Sequence, residues 1–198
     1  MGDGTVKNLW VLPEEGFDGK TADEATLLDA IRGDPTAFGI LYQRYLPRIY
    51  RYLRTRTISE DDAADLTQQV FLKAFDALPS YRNRGVPFAA WLFRIARNVA
   101  IDHARRHRIT LTWDLVPEAL HPATKTTPES VILREEALQR LRVLLGEMDT
   151  GKRELLALRF AAGLTSREIA VVVGKSEAAV KKQLARILQS MKEQYGEA

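Results

Sequence analysis

The chain has 198 residues, 45% of them hydrophobic, and a formal net charge of +3, which suits one or two globular domains. It contains no cysteine, which excludes disulfides, thiolate metal ligands and cysteine nucleophiles and fits a reducing compartment. No apolar run approaches the ~20 residues that span a bilayer, and the N-terminus lacks a signal-peptide pattern, so we expect a cytoplasmic protein with no membrane insertion.

The first segment is acidic. Residues 1–30 carry seven acids and two lysines, a net charge of −5. Residues 1–20 contain glycines and a proline and are predicted to form a loose arm. Thr21 is predicted to cap a helix that ends at Gly33.

Two longer helices are predicted next. Asp34 and Pro35 pair a capping residue with a first-turn proline, and Pro47 is predicted to kink the helix that they begin. Ser59 caps the following helix, whose acidic first turn matches the helix dipole and which ends near Leu78. The apolar stripe of the first of these helices consists of Phe38, Leu41, Tyr45, Ile49, Tyr52 and Leu53.

The segment from residue 79 to residue 108 combines aromatic residues with positive charge. A loop leads to Pro87, which begins a helix, and residues 82–108 carry seven arginines and one acid, a net of +6. Aromatic rings stack on unpaired bases, and arginines hold the backbone. Asn98 can hydrogen-bond a base edge as donor or acceptor. The alternative is that Phe88, Trp91 and Phe93 of this segment are simply core residues.

Residues 109–127 break the helical periodicity. This segment contains two prolines and five threonines, and it is predicted to be a linker between domains. Beyond it, Pro128 begins a helix to about Met148, and Asp149 caps another that ends at Gly163. The predicted domains are therefore 21–108 and 128–198, with the arm 1–20 in front.

The last segment has the pattern of a helix-turn-helix, which places side chains in the DNA major groove. Thr165 and Glu168 form a capping box, Gly174 permits a tight turn, and Ser176 caps the second helix. Residues 175–192 have a net charge of +4. The inward residues of the second helix are Val180, Leu184, Ile187, Leu188 and Met191, and its predicted DNA side consists of Lys181, Lys182, Gln183 and Arg186. The alternative is an ordinary amphipathic helix pair with solvated lysines.

Enzyme motifs are missing from the sequence. There is no phosphate-binding loop, no GxGxxG and no GxSxG, and we expect no catalytic residue, cofactor or metal. The alternative is a metal-dependent nuclease, since His103 and His107 are four residues apart beside Asp102, a spacing that can hold a metal.

Together these features resemble the extracytoplasmic-function (ECF) sigma factors, over about residues 22–195. The resemblance is carried by AFGILYQRYLPRIYRYL (37–53), DLTQQVFLKAF (65–75), PFAAWLFRIARNVAIDHARR (87–106) and the terminal helix-turn-helix. It implies an all-α fold with two small helical domains, sigma domain two and a helix-turn-helix sigma domain four, joined by a flexible linker. It also implies a promoter-specificity subunit of bacterial RNA polymerase, which is not itself an enzyme.

The resemblance assigns partners and residues. Core polymerase would be bound through its β′ clamp helices and β flap, the former by Asp65, Gln68, Gln69 and Phe71. The family usually has Glu where this chain has Gln69. The −10 promoter element, as duplex and as single strand, would be bound by Tyr81, Arg94, Arg97, Asn98, Arg105 and Arg106. The −35 element would be bound by Ser176, Lys181, Lys182, Gln183 and Arg186. Relatives are commonly inhibited by an anti-sigma factor.

A self-sufficient helix-turn-helix repressor or activator is a second hypothesis. It needs neither the aromatic and arginine-rich segment nor the DLTQQVF helix. A sigma factor of this type should bind promoter duplex poorly alone and well together with core polymerase, whereas a regulator should bind its operator tightly by itself.

Overall fold

The computed structural model describes residues 38–81, 85–107 and 128–196. Within these ranges there are seven α-helices and no β-strand. The helices are α1 (Phe38–Arg54), α2 (Glu60–Ala77), α3 (Phe88–His107), α4 (Pro128–Glu147), α5 (Thr150–Leu156), α6 (Ser166–Val173) and α7 (Glu177–Gly196). A 3₁₀ turn, Leu78–Ser80, follows α2, and a π-helical turn, Ala157–Ala161, follows α5. The predicted all-α class is confirmed.

Helices α1, α2 and α3 form an N-terminal unit whose core is built on the predicted stripe of α1. Five of the six stripe residues are buried, and Phe38 is partly buried. The helix continues through Pro47. The ring of Phe88 packs edge-on against Tyr45 at a centroid distance of 5.5 Å, which ties α3 to α1. This packing leaves the outer faces of α2 and α3 exposed to other molecules.

The ends of α2 follow from local chemistry. The Ser59 hydroxyl accepts a hydrogen bond from the backbone N–H of Asp62 at 3.0 Å, which satisfies one free donor of the first turn. The helix ends at Ala77, two residues before Pro79. Both predicted ends of this helix are therefore confirmed to within a residue.

Helices α4 to α7 form a C-terminal unit. The Asp149 carboxylate caps α5 by accepting from the Lys152 N–H at 2.9 Å, and this backbone hydrogen bond lowers the pKa of Asp149. The predicted single helix from Asp149 to Gly163 was wrong in one respect. After α5 the chain widens into the π turn, where the Ala162 N–H donates to the carbonyl of Ala157 at 2.9 Å.

The two units pack against each other. Helix α3 runs beside α6, α1 lies against the π turn, and the buried apolar residues of both units form one continuous cluster. The sequence predicted two domains joined by a flexible linker and gave no indication of this contact, because nothing in the local pattern reports it. Four predicted features lie outside the described residues: the arm 1–20, the helix from Thr21 to Gly33, the start of the next helix at Asp34, and the linker 109–127. No helix within the described ranges is long and apolar enough to cross a membrane.

The turn between α6 and α7 depends on a left-handed glycine. Gly174 has φ +69°, and a Cβ added there would meet no atom within 4 Å. We expect Gly174→Ala to lower the free energy of unfolding by about 1 kcal/mol, since only the backbone conformation opposes it. Gly174→Asn is the matched control, because asparagine tolerates this conformation better. Urea unfolding checks both, and equal losses would contradict the explanation.

Candidate nucleic-acid interface

The predicted helix-turn-helix is present in α6 and α7. The backbone N–H of Glu168 donates to the Thr165 hydroxyl at 3.2 Å, and the Thr165 N–H donates to the Glu168 carboxylate at 2.8 Å. The predicted capping box is therefore confirmed. The Ser176 hydroxyl accepts from the Ala179 N–H at 3.2 Å and caps α7. These local contacts set the angle at which α7 leaves the turn.

Helix α7 turns a basic face outward. Lys181, Lys182 and Arg186 are exposed, and Gln183 is half-buried. The Lys181 ammonium lies 2.7 Å from a Glu177 carboxylate oxygen, four residues earlier on the same helix. The five predicted inward residues of this helix are all buried. The predicted −35 residues thus share an exposed surface, apart from half-buried Gln183.

Helix α3 has a second basic face. Arg94, Asn98, Arg105 and Arg106 are exposed, and their spacing places Arg94, Asn98 and Arg105 on one side of the helix. The Arg106 Nε donates to the carbonyl of Asp102 at 3.2 Å. The guanidinium groups of Arg94 and Arg105 therefore share one side of the helix with the Asn98 amide, which makes a surface suited to phosphates and a base edge.

Arg97 points in a different direction from its neighbours on α3. Its side chain is 35% exposed, and its Nε lies 3.7 Å from a carboxylate oxygen of Glu154 on α5. The predicted −10 residue Arg97 therefore contacts the C-terminal unit in this structure.

Tyr81 lies within the N-terminal unit. It is 6% exposed, its hydroxyl donates to the carbonyl of Val86 at 2.9 Å, and its ring packs against Phe88 and Trp91. A ring this deeply buried presents little of its face to a base in this arrangement. Its assignment to the −10 element stays a prediction, while the contacts give it a structural role.

Helix α2 presents a mixed polar and apolar face. Asp65, Gln68 and Gln69 are exposed, as is Leu72, with 65% of its surface accessible. Phe71 is buried, with its ring centroid 4.6 Å from that of Tyr42. Sequence reasoning missed Leu72, although a leucine four residues after Gln68 on a polar face was a usable signal.

The three residues of the possible metal site, Asp102, His103 and His107, do not form a described cluster. Asp102 is exposed and His103 is buried, while the His107 side chain lies outside the described set. Among the described residues, no three potential ligand side chains come together. The geometry gives no support to the nuclease hypothesis.

Two protein-family models match the chain, one in each helical unit. Residues 41–109 match the family model described as Sigma-70 region 2, and residues 138–191 match Sigma-70, region 4. The chain is 32% identical over 180 residues to the ECF RNA polymerase sigma factor BldN of Streptomyces coelicolor, covering 84% of this chain and 67% of that protein. It is 31% identical over 193 residues to the ECF RNA polymerase sigma factor SigD of Mycobacterium tuberculosis, covering 94% and 89%.

A solved structure is also similar. The structure of CnrH in complex with the cytosolic domain of CnrY superposes with a TM-score of 0.60 at 28% identity, covering 86% of this chain and 97% of that one. The fold and the exposed basic helices define a sigma-70 protein with regions 2 and 4. The chain belongs to the ECF sigma factors, and it is a promoter-specificity subunit of bacterial RNA polymerase rather than an enzyme. Its partners are core polymerase and promoter DNA.

Proposed function

We propose that three exposed helix faces divide the work of this sigma factor: α2 binds core polymerase, α3 binds the −10 element, and α7 binds the −35 element. The observation that carries the proposal is the pair of exposed basic faces, on α3 and on α7, together with an exposed face on α2 that includes Leu72. The domains that carry them are 21–108 and 128–198, with 109–127 joining them.

The α2 face has the composition of a protein interface. Leu72 supplies an apolar centre, and Asp65, Gln68 and Gln69 supply a polar rim. We assign these four residues to the β′ clamp helices. Phe71 acts indirectly, because its buried ring supports the helix from inside. Because Gln69 is uncharged, it can form hydrogen bonds with the clamp helices but not the ionic contact that the family's usual glutamate would form.

The α3 face suits strand opening by capture of unpaired bases. Asn98 is assigned to a base edge, and Arg94, Arg105 and Arg106 to phosphates. Each stacked or pocketed base contributes about 1–3 kcal/mol. Opening one base-pair step costs about 1.4 kcal/mol. A few captured bases therefore offset a few opened pairs, because the protein binds the unpaired strand better than the duplex. We assign Tyr81 to holding the loop in front of this helix through its hydrogen bond to Val86.

The α7 face suits the major groove. Lys182 and Arg186 are exposed along one side of the helix that follows the turn, and Ser176 stands at its start. Lysines supply charge without the bidentate fork of arginine, so phosphate contacts dominate over base reading at Lys181 and Lys182. Arg186 is the residue best suited to a guanine edge.

The protein acts in the cytoplasm, where its polymerase is, and an anti-sigma factor is a further partner. The support for such a partner is the similarity to CnrH, whose solved structure contains the cytosolic domain of CnrY. A protein that covered α2 or α3 would block the faces assigned above.

Run-off transcription with purified core polymerase and a promoter library tests the proposed function. We expect transcripts only when the chain and core are both present. Tight operator binding by the chain alone, with no transcript from any template, would overturn the proposal in favour of a self-sufficient regulator.

We expect Lys182→Ala to weaken −35 binding by a similar factor on all sequences. Loss of one phosphate contact should reduce the slope of log K against log salt by about 1. Lys192→Ala, which removes an exposed lysine near the end of the same helix, is the control. Holoenzyme affinity for promoter duplex over a salt series measures both, and a loss limited to one base pair would identify Lys182 as a base-reading residue.

A further inference from the structure

One buried carboxylate joins the two helical units. Glu154 on α5 is 9% exposed and faces α1 and α3. Its Oε2 lies 2.8 Å from a terminal nitrogen of Arg56, and its Oε1 lies 3.7 Å from the Nε of Arg97. The Tyr52 hydroxyl donates to Oε1 at 3.0 Å. Every partner of this carboxylate comes from a residue more than fifty positions away in the chain.

The charges of this cluster are unbalanced. Arg56 is 7% exposed, so its guanidinium has lost most of its water. Burial raises the pKa of Tyr52, which therefore remains a neutral donor. Two guanidinium groups thus share a single carboxylate, and Arg153 and Lys175 line the same cleft of about 340 Å³. A buried charge without compensation costs several kcal/mol, so the cluster depends on Glu154.

The two arginines have unused hydrogen-bonding capacity. Neither the Nε of Arg56 nor that of Arg97 has a hydrogen-bond acceptor among the described residues. The short contact between Arg56 and Glu154 is an ion pair whose angle does not meet hydrogen-bond geometry. A phosphate offers more acceptor oxygens than this carboxylate, and it matches the planar fork of arginine.

These arginines also adjoin the DNA-binding face. Arg97 directly precedes Asn98 on α3, and Arg56 lines the same cleft as Arg97. A backbone phosphate beside a base held by Asn98 would therefore lie within reach of the pair when the C-terminal unit moves away.

The closed arrangement has a second set of contacts. Arg48 donates to the carbonyls of Ala162 and Gly163 at 2.8 and 3.2 Å, and Arg51 donates to that of Ala161 at 3.3 Å. Cations at the end of a helix are stabilising, because its last carbonyls lack partners. These hydrogen bonds and the Glu154 cluster both join the two units, in addition to the packing of α3 beside α6.

We propose that Arg56 and Arg97 form a binding site for a DNA backbone phosphate, and that Glu154 occupies this site as an intramolecular substitute when the two units are packed together. This inference rests on the proposed −10 role of α3. DNA and Glu154 compete for the same two guanidinium groups, so DNA favours the open arrangement and the closed arrangement weakens DNA binding. By linkage, DNA binding opposes closure of the two units by the same free energy by which closure opposes DNA binding.

The test uses the full chain and a short single-stranded thymidine homopolymer, since a phosphate contact needs no particular sequence. The natural chain has no cysteine, so Asp61→Cys and Ser190→Cys allow one fluorophore to be placed on each unit. We expect Glu154→Gln to lower energy transfer between the units and to tighten homopolymer binding about tenfold. A gain of this size corresponds to a parent chain in which about one molecule in ten is open, because only open molecules can bind DNA at this site. Adding Arg56→Gln should remove that gain.

Glu147→Gln is the matched control, because Glu147 is an exposed glutamate of the same unit outside the cluster. In the parent chain, homopolymer should itself lower energy transfer as it binds, a measurement that needs no substitution at the cluster. Unchanged energy transfer in both experiments would overturn the proposal, as would a gain in affinity that persists with Arg56→Gln. Run-off transcription by the parent holoenzyme separates this failure from a failure of the proposed function.

Discussion

Leu72→Ala should weaken the binding of this sigma factor to core polymerase by about tenfold. Complete burial of a leucine contributes about 1.5–3 kcal/mol, and a factor of ten in affinity corresponds to about 1.4 kcal/mol. Leu72 is 65% exposed on the α2 face, so about two thirds of that burial, on the order of 1–2 kcal/mol, is available to a partner. Competition for core polymerase against a labelled sigma factor measures the change.

Ile58→Ala is the matched control for this prediction. Ile58 is 64% exposed and lies in the turn before α2, outside the face assigned to the polymerase. It removes a similar apolar surface, so it should leave affinity for core within about twofold, as surface substitutions away from an interface usually do. Equal losses from both variants would mean that the α2 face is not the interface. A loss from Leu72→Ala that disappears at high salt would point to charge instead of apolar burial.

Asn98→Ala should reduce open-complex formation about tenfold while core binding stays unchanged. The exposed amide lies among the arginines of α3, and a lost hydrogen bond that discriminates a base is worth about 1–3 kcal/mol. If Asn98 stabilises only the unpaired strand, its loss shifts the opening equilibrium and leaves the assembly of the holoenzyme intact. Permanganate reactivity of thymines near the start site measures opening.

A template with an artificial bubble at the −10 element sharpens the test. Since the cost of opening is already removed there, transcription by the Asn98→Ala holoenzyme should recover most of its loss. Gln43→Ala, which removes an exposed amide from α1, is the control and should behave as the parent on both templates. A deficit that is the same on duplex and bubble templates would place the role of Asn98 after strand opening.

Much of the fold was predictable because its signals are local. The hydroxyl of Ser59, the capping box of Thr165 with Glu168, and the left-handed Gly174 each act within four residues of themselves. Their effect on helix ends is therefore readable from neighbouring letters. The exposed basic faces of α3 and α7 follow for the same reason, since helical spacing alone separates them from the apolar stripes.

The exposure of single side chains was harder to predict. Tyr81 and Phe71 carry the residue types of binding surfaces, but both rings are buried against other aromatic residues. Leu72 has the residue type of a core position, but it is exposed. Helical periodicity leaves an uncertainty of about one position at the edge of a buried stripe, where Phe71 and Leu72 lie. Tyr81 follows the last helical turn, so no periodicity reports on its burial.

Local order and composition were enough to determine the helices, their ends, the two basic faces and the family of this sigma factor. Only the tertiary structure decided that Glu154 meets Arg56, Arg97 and Tyr52, because its contact with Tyr52 joins residues 102 positions apart. No periodicity reports on such a pair. A lone glutamate in an amphipathic helix is usually solvated, and packing of the two units is what makes this one the counter-charge of buried Arg56 and half-buried Arg97.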